Sequence, residues 1–219
     1  MLKAIIFDFD GVILESNGVK SNAFKTLYSQ CDSVALASIV EHHRGNYSMS
    51  RYEKIQFYHQ HYLGIVLSED QLDIEARKFS DLVKKQLLSV PFVAGAKEFL
   101  LDYTRYLEFF LSSGTQTKDL IYIMEARNIL KEFEYVYGSP EKKDEHIKAI
   151  LGNTGYICSE LLFIGDRVED MNLAKKYDIP FIGRASSNDG AKFDNTLLVE
   201  DLWALRKVIQ VEVRRIYGH

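Results

Sequence analysis

The chain has 219 residues, 47% of them hydrophobic and 26% charged, with a formal net charge of −4. This length and balance allow a real buried core. No Lys/Arg cluster interleaves with aromatics and no run approaches the roughly 20 apolar residues of a membrane helix, so neither a nucleic-acid nor a membrane partner is expected.

The two cysteines, Cys31 and Cys158, are too far apart in sequence to read as a disulfide framework. The apolar opening is interrupted at Asp8 and does not read as a signal peptide, so a reducing, cytoplasmic setting is expected. In Ala4-Ile5-Ile6-Phe7-Asp8-Phe9-Asp10-Gly11-Val12-Ile13, an apolar run stops on two carboxylates and a glycine. A near-continuous apolar run predicts a strand buried on both faces, as in a parallel sheet covered by helices. Strand alternation would send Asp8 and Asp10 the same way, and Gly11 allows a sharp turn beside them. Two anions in one pocket need a cation between them or a proton on one. The same residues also fit the start of an ordinary solvated loop.

From Ser16 to Leu88 the apolar spacing is helical. It predicts helices over Ser16 to Gln30, Ser33 to His43, Ser50 to Tyr62 and Ser68 to Leu88, each beginning near a serine able to cap it. Pro91 and Gly95 punctuate the end of this block. Beyond it strands and helices alternate: helix Ala94 to Tyr103, strand Tyr106 to Leu111, helix Thr115 to Leu130, weak strand Tyr135 to Tyr137 and helix Lys142 to Leu151. Then come strand Leu161 to Ile164, helix Val168 to Tyr177, strand Pro180 to Ile182, a polar loop from Ala185 to Asn195, edge strand Leu197 to Val199 and helix Asp201 to Ile216. The terminal helix has an amphipathic pattern, with Arg214 and Arg215 at the end that favours cations. Alternation of this kind predicts an α/β fold with a doubly wound parallel, Rossmann-like sheet. The expected domains are an α/β core from 1–13 and 91–219 and an inserted helical cap from 14–90.

The polar residues after each strand form a set. Ser112-Ser113-Gly114-Thr115 offers small donors leading toward a helix N-terminus, which suits an anion. Lys142 and Lys143 stand at a helix start, where positive charge opposes the dipole unless an anion needs it. Gly165-Asp166-Arg167-Val168-Glu169-Asp170 adds carboxylates after the Leu161 strand. Hard oxygen ligands of this kind fit Mg²⁺ held with a substrate phosphate, and hydroxyl, backbone N–H and ammonium groups fit the phosphate oxygens.

These four stretches, in this order and each after a predicted strand, resemble the motifs of the haloacid-dehalogenase-like (HAD) superfamily of phosphohydrolases. The helical insertion is similar to the cap of its phosphoglycolate phosphatase and β-phosphoglucomutase branch. The resemblance implies Asp8 as nucleophile forming an aspartyl-phosphate, and Asp10 as general acid and then base. It implies Mg²⁺ held by Asp8, the Asp10 backbone carbonyl, Asp166 and, through water, Asp170. Phosphate contacts would come from Ser112, Ser113 and a lysine, with Lys143 preferred to Lys142 as the residue immediately before Asp144-Glu145-His146-Ile147. An acid at Asp10 separates phosphatases from dehalogenases, which need none there. Arg167 departs from the small residue usual after Gly-Asp, and either pairs with Glu169 or Asp170 or faces solvent.

In the cap, Ser50-Arg51 resembles the segment by which the mutase branch grips a second phosphate, and Arg51, with Arg44 or Lys54, is the candidate contact to an anionic or polyhydroxyl leaving group. A solvated helix start is the plain alternative. His42, His43, His59 and His61 read as structural, and Lys20 either faces the site or is a surface lysine. The expected partner is a small phosphorylated metabolite, either a sugar phosphate or a phosphoglycolate-like compound. The alternatives are a β-phosphoglucomutase-like phosphoryl-transfer mutase and a catalytically idle binding module. The sequence assigns no oligomeric state.

Overall fold

Ala4–Phe7 forms β1, with every residue fully buried, because parallel pairing to strands on both sides leaves it no edge. In this computed structural model residues 1–46, 49–185, 193 and 196–217 are described, with 211–217 described by backbone alone. The polar loop expected over Ala185 to Asn195 therefore lies almost wholly outside the described residues, as do the side chains of Arg214 and Arg215.

The other strands are β2 (Glu108–Gln116), β3 (Tyr135–Ser139), β4 (Leu161–Gly165), β5 (Phe181–Arg184) and β6 (Leu197–Val199). All pair in parallel in the order β3-β2-β1-β4-β5-β6. The chain winds outward from β1 to β3, then crosses back to β4 on the other side of β1. That reversal places the topological switch point between β1 and β4, where ligand crevices form in such sheets.

The chain divides into two compact units, Met1–Ser16 with Val90–His219 and Asn17–Ser89. In the first, alternation along β1 sends Ala4 and Ile6 to one face. There they pack with Phe110, Phe163, Ile147 and Ile150 under α7 (Lys143–Thr154) and with Ala174 of α8 (Val168–Lys176). Phe7 points to the opposite face and meets Phe109 edge-on at 5.3 Å and Phe99 at 6.1 Å; Phe99 lies on α5 (Ala96–Tyr103), which packs with α9 (Leu202–Tyr217). Each such side chain, fully removed from water, contributes about 1.5–3 kcal/mol.

The second unit is four helices: α1 (Val19–Leu27), α2 (Ser33–Gly45), α3 (Arg51–Tyr62) and α4 (Glu69–Leu87). Its centre is aromatic, with Phe24 lying 4.2 Å from Phe79 and 5.4 Å from Tyr58. Capping boxes form at Ser50 with Glu53 and at Ser68 with Gln71. α2 is capped by Asp32, whose carboxylate accepts from Val34 and Ala35 N–H, and not by Ser33, because a carboxylate also complements the helix dipole. Lys54 is 3% exposed, its Nζ 3.0 Å from Nδ1 of the buried His43, and burial, with Lys20 adding repulsion, pushes its pKa down to about 8.

One element departs from its sequence reading in a way that matters for the site. β2 does not end at Leu111; it continues through Ser112 to Gln116 with an irregular register against β3, and α6 (Thr117–Ala126) begins two residues later than expected. Backbone pairing to β3 keeps this polar stretch extended.

Candidate active site

The β1 ladder runs one residue beyond the strand, for Asp8 N–H donates to the Ile164 carbonyl at 2.9 Å. Asp8 is thereby fixed beside the end of β4, 5% exposed. The chain turns at Gly11, whose φ of 76° lies in the left-handed region that glycine tolerates. On the neighbouring strand Gly165 ends β4, Asp166 follows, and Asp170 lies in the first turn of α8. A Cβ on Gly165 would sit 2.5 Å from Asp170 Cβ and 2.7 Å from its Oδ2, so glycine is what lets the Asp170 carboxylate lie against the strand end.

Asp8, Asp166 and Asp170 each present a carboxylate oxygen within 4.8 Å of the others, all three residues buried. Lys143, the first residue of α7, bridges two of them, its Nζ 2.7 Å from Asp8 Oδ1 and 2.7 Å from Asp170 Oδ1. Burial opposes the Lys143 charge, but Asp170 and Asp8 outweigh it and hold the ammonium well above its ordinary pKa. Burial raises Asp8 to about 6, with Asp170 and Asp10 adding repulsion and Lys143 opposing. Burial and the Asp8 charge raise Asp166 to about 7, against the pull of Arg167.

One lysine is thus too little positive charge for this group. Asp166 Oδ1 and Asp170 Oδ2 are buried without a hydrogen-bond partner, and a buried acceptor left so is costly. Hard, anionic, unsatisfied oxygens at this spacing fit a small divalent cation such as Mg²⁺.

Asp10 is more exposed and held differently: Ser16 Oγ donates to its Oδ1 at 2.7 Å and Thr115 Oγ1 to its Oδ2 at 3.2 Å. Its carboxylate is not one of the clustered three. Alternation along β2 separates the two serines. Ser112, fully buried, has its hydroxyl 2.9 Å from His146 Nδ1 of α7. The Ser113 hydroxyl accepts from Thr115 N–H at 3.1 Å, on the face from which Thr115 reaches Asp10. Lys142 is exposed, serving as the residue before α7 with its N–H on Glu145.

Arg167 Nε lies 3.5 Å from Asp166 Oδ2, a neighbour the sequence reading did not include. Arg51 opens α3, its guanidinium 5.5 Å from the Tyr52 ring centre. Ser16, expected to cap a helix, does not: α1 begins at Val19 after Gly18, and the Ser16 hydroxyl serves Asp10 instead. Thr115 stood in the Ser-Ser-Gly-Thr run read as donors, whereas His146 carried no signal beyond its residue type.

A parallel sheet with three buried carboxylates and a half-buried lysine meeting at its switch point defines an α/β protein with a charged cluster in its crevice. The chain belongs to the haloacid dehalogenase-like hydrolase family, whose model matches residues 5–184. A search of curated proteins finds no match. Among solved structures it is similar to the HAD-hydrolase YfnB from Bacillus subtilis, determined bound to magnesium, at 13% identity and TM-score 0.75 over 95% of this chain and 99% of that one. It is also similar to a predicted phosphoglycolate phosphatase from Haemophilus somnus (18% identity, TM-score 0.72, over 95% and 98% of the two chains) and to β-phosphoglucomutase from Clostridium difficile (17%, 0.74, over 100% of both). At these identities the likeness is one of fold. Among the described residues no helix is long and apolar enough to cross a membrane.

Proposed function

We propose that this chain is a Mg²⁺-dependent phosphomonoesterase acting on a small phosphorylated metabolite, a sugar phosphate or a phosphoglycolate-like compound, through an aspartyl-phosphate. The observation that carries the reading is the Lys143 ammonium between Asp8 and Asp170, with Asp166 alongside and two buried carboxylate oxygens lacking partners. The magnesium of YfnB and the phosphatase and mutase among the structural neighbours support it.

In this reading Asp8 attacks phosphorus, forming an acyl-phosphate bond as the ester P–O bond breaks. Asp10 gives its proton to the departing oxygen, then takes one from the water that attacks the phosphorus and releases Asp8. Lys143 and Ser113 hold the non-bridging oxygens, offsetting charge that would repel the nucleophile. Asp8, the Asp10 backbone carbonyl, Asp166 and Asp170 would hold Mg²⁺, which when bound neutralises the carboxylates and the phosphoryl oxygens. Arg51 is proposed to recognise the part of the substrate that leaves, so Arg51→Ala should raise KM for the best substrate; an unchanged KM removes that role.

The test is phosphate release from a panel of phosphomonoesters with Mg²⁺ or with chelator, in wild type and Asp8→Asn. Mg²⁺-dependent release abolished by Asp8→Asn is expected, and near-wild-type release by the variant refutes the nucleophile. Isomerisation of a hexose 1-phosphate without released phosphate would move the assignment to the mutase.

A further inference from the structure

β5 is an apolar strand that ends on a charge. Arg184 is only 5% exposed, and its guanidinium is used in several directions at once. Nε donates to the Glu200 carbonyl at 2.9 Å, and Nη1 donates to the Gly11 carbonyl at 3.0 Å and to Glu15 Oε2 at 3.0 Å. Nη2 donates to Glu15 Oε1 at 2.5 Å, completing a two-pronged fork on that carboxylate. A planar fork of this kind fixes orientation as well as charge, and lysine cannot reproduce it.

The segment it grips contains the group proposed to move protons. Gly11 follows Asp10 directly, and Gly11 N–H closes the loop onto the Leu14 carbonyl at 2.9 Å. Glu15 precedes Ser16, whose hydroxyl holds Asp10 Oδ1 at 2.7 Å. Glu15 N–H also donates to the Pro91 carbonyl at 2.9 Å. Arg184 therefore grips the loop at both ends, once at the residue after Asp10 and once at the residue before its hydroxyl partner. Only the arginine side of the pair is buried, Glu15 being 35% exposed, and a half-exposed ion pair is a weak source of stability. What the arginine supplies instead is a fixed geometry.

We infer that Arg184, through Glu15 and the Gly11 carbonyl, is a positioning residue that holds the Gly11–Ser16 loop so that the Asp10 carboxyl meets the departing oxygen. The inference rests on the acid role proposed for Asp10. It assigns a contribution to that step to a residue on β5, late in the chain and beyond the strands that carry the carboxylates.

The test uses leaving-group dependence. kcat/KM reports steps up to the first irreversible one, transfer to Asp8. An alkoxide needs a proton in that step, whereas a nitrophenolate departs with little help. Arg184→Lys and Glu15→Gln are compared with wild type and Asp10→Asn on 4-nitrophenyl phosphate and on the fastest alkyl phosphate of the panel, with thermal midpoints as the check on folding. Asp10→Asn should lose about a hundredfold or more on the alkyl substrate alone. Both clamp variants should show the same selectivity at smaller size, about tenfold on the alkyl phosphate and less than about threefold on the aryl one. Equal losses on both substrates, or none, overturn the clamp while a selective Asp10→Asn leaves the acid reading intact. A non-selective Asp10→Asn overturns the acid reading itself, and the clamp with it. Should Arg184→Lys fail to fold, Glu15→Gln, which keeps the Gly11 and Glu200 contacts, decides the matter alone.

Discussion

The buried carboxylates make stability an instrument for reading the site. Without a metal, Asp8 and Asp166 bind protons at about 6 and about 7, against 3.8 for an ordinary aspartate. The folded chain then holds more protons than the unfolded one from about pH 4 up to 6 and 7, so the metal-free protein loses stability progressively as pH rises across that range and levels off above it. At about 1.4 kcal/mol per pH unit, ionising Asp8 in place costs on the order of 3 kcal/mol and Asp166 on the order of 4 kcal/mol. For a chain of this size that is roughly 6–16 °C in thermal midpoint.

Mg²⁺ binds the ionised form and should remove most of this loss at pH 8, while helping little at pH 5.5. Burial also pushes the His146 pKa below its ordinary value, so its charge differs between the folded and unfolded chain as well. The reference is therefore Asp166→Asn, which removes one ionisation and keeps the shape. Without metal at pH 8 the variant should melt several degrees above wild type, and Mg²⁺ should no longer stabilise it. Thermal midpoints between pH 5 and 8, with Mg²⁺ or chelator, decide it. A wild-type midpoint that rises relative to Asp166→Asn across this range, or equal Mg²⁺ stabilisation of the two, refutes the reasoning.

Gly165→Ala places a methyl 2.5 Å from Asp170 Cβ; overpacking of this kind costs about 1–3 kcal/mol, and Mg²⁺ affinity by calorimetry should fall with it. An unchanged affinity would mean that Asp170 is free to move without consequence for the ion. The two serines should separate cleanly. Ser112→Ala strips the partner from His146 and should cost about 1–3 kcal/mol in denaturant unfolding with turnover kept within a few-fold, whereas Ser113→Ala should leave stability nearly intact and lower kcat/KM. The reverse pattern would return the phosphate contact to Ser112.

The sheet was legible because its central strands are apolar on both faces and each is followed by a helical period. Ala4 to Phe7 and Leu161 to Ile164 needed nothing beyond that pattern. β2 was misjudged past Leu111 because Ser112 to Gln116 are held extended by main-chain bonds to β3, and such bonds leave no mark on side-chain type. Asp8, Lys143, Asp166 and Asp170 stood out as charges at strand and helix ends, and the structure brings their side chains together. What the residue types concealed was partnership. Ser112 serves His146, Arg167 lies on Asp166, and Arg184 reaches Glu15 across the sheet, because each pairing depends on distant segments meeting in space.

The most direct measurement is mass spectrometry of Asp10→Asn quenched in acid during reaction with 4-nitrophenyl phosphate and Mg²⁺. With water activation impaired, a burst of nitrophenolate should accompany a phosphoryl group on the peptide that carries Asp8. A phosphoryl group on any other residue, or wild-type turnover with Asp8 unmodified, would contradict the account.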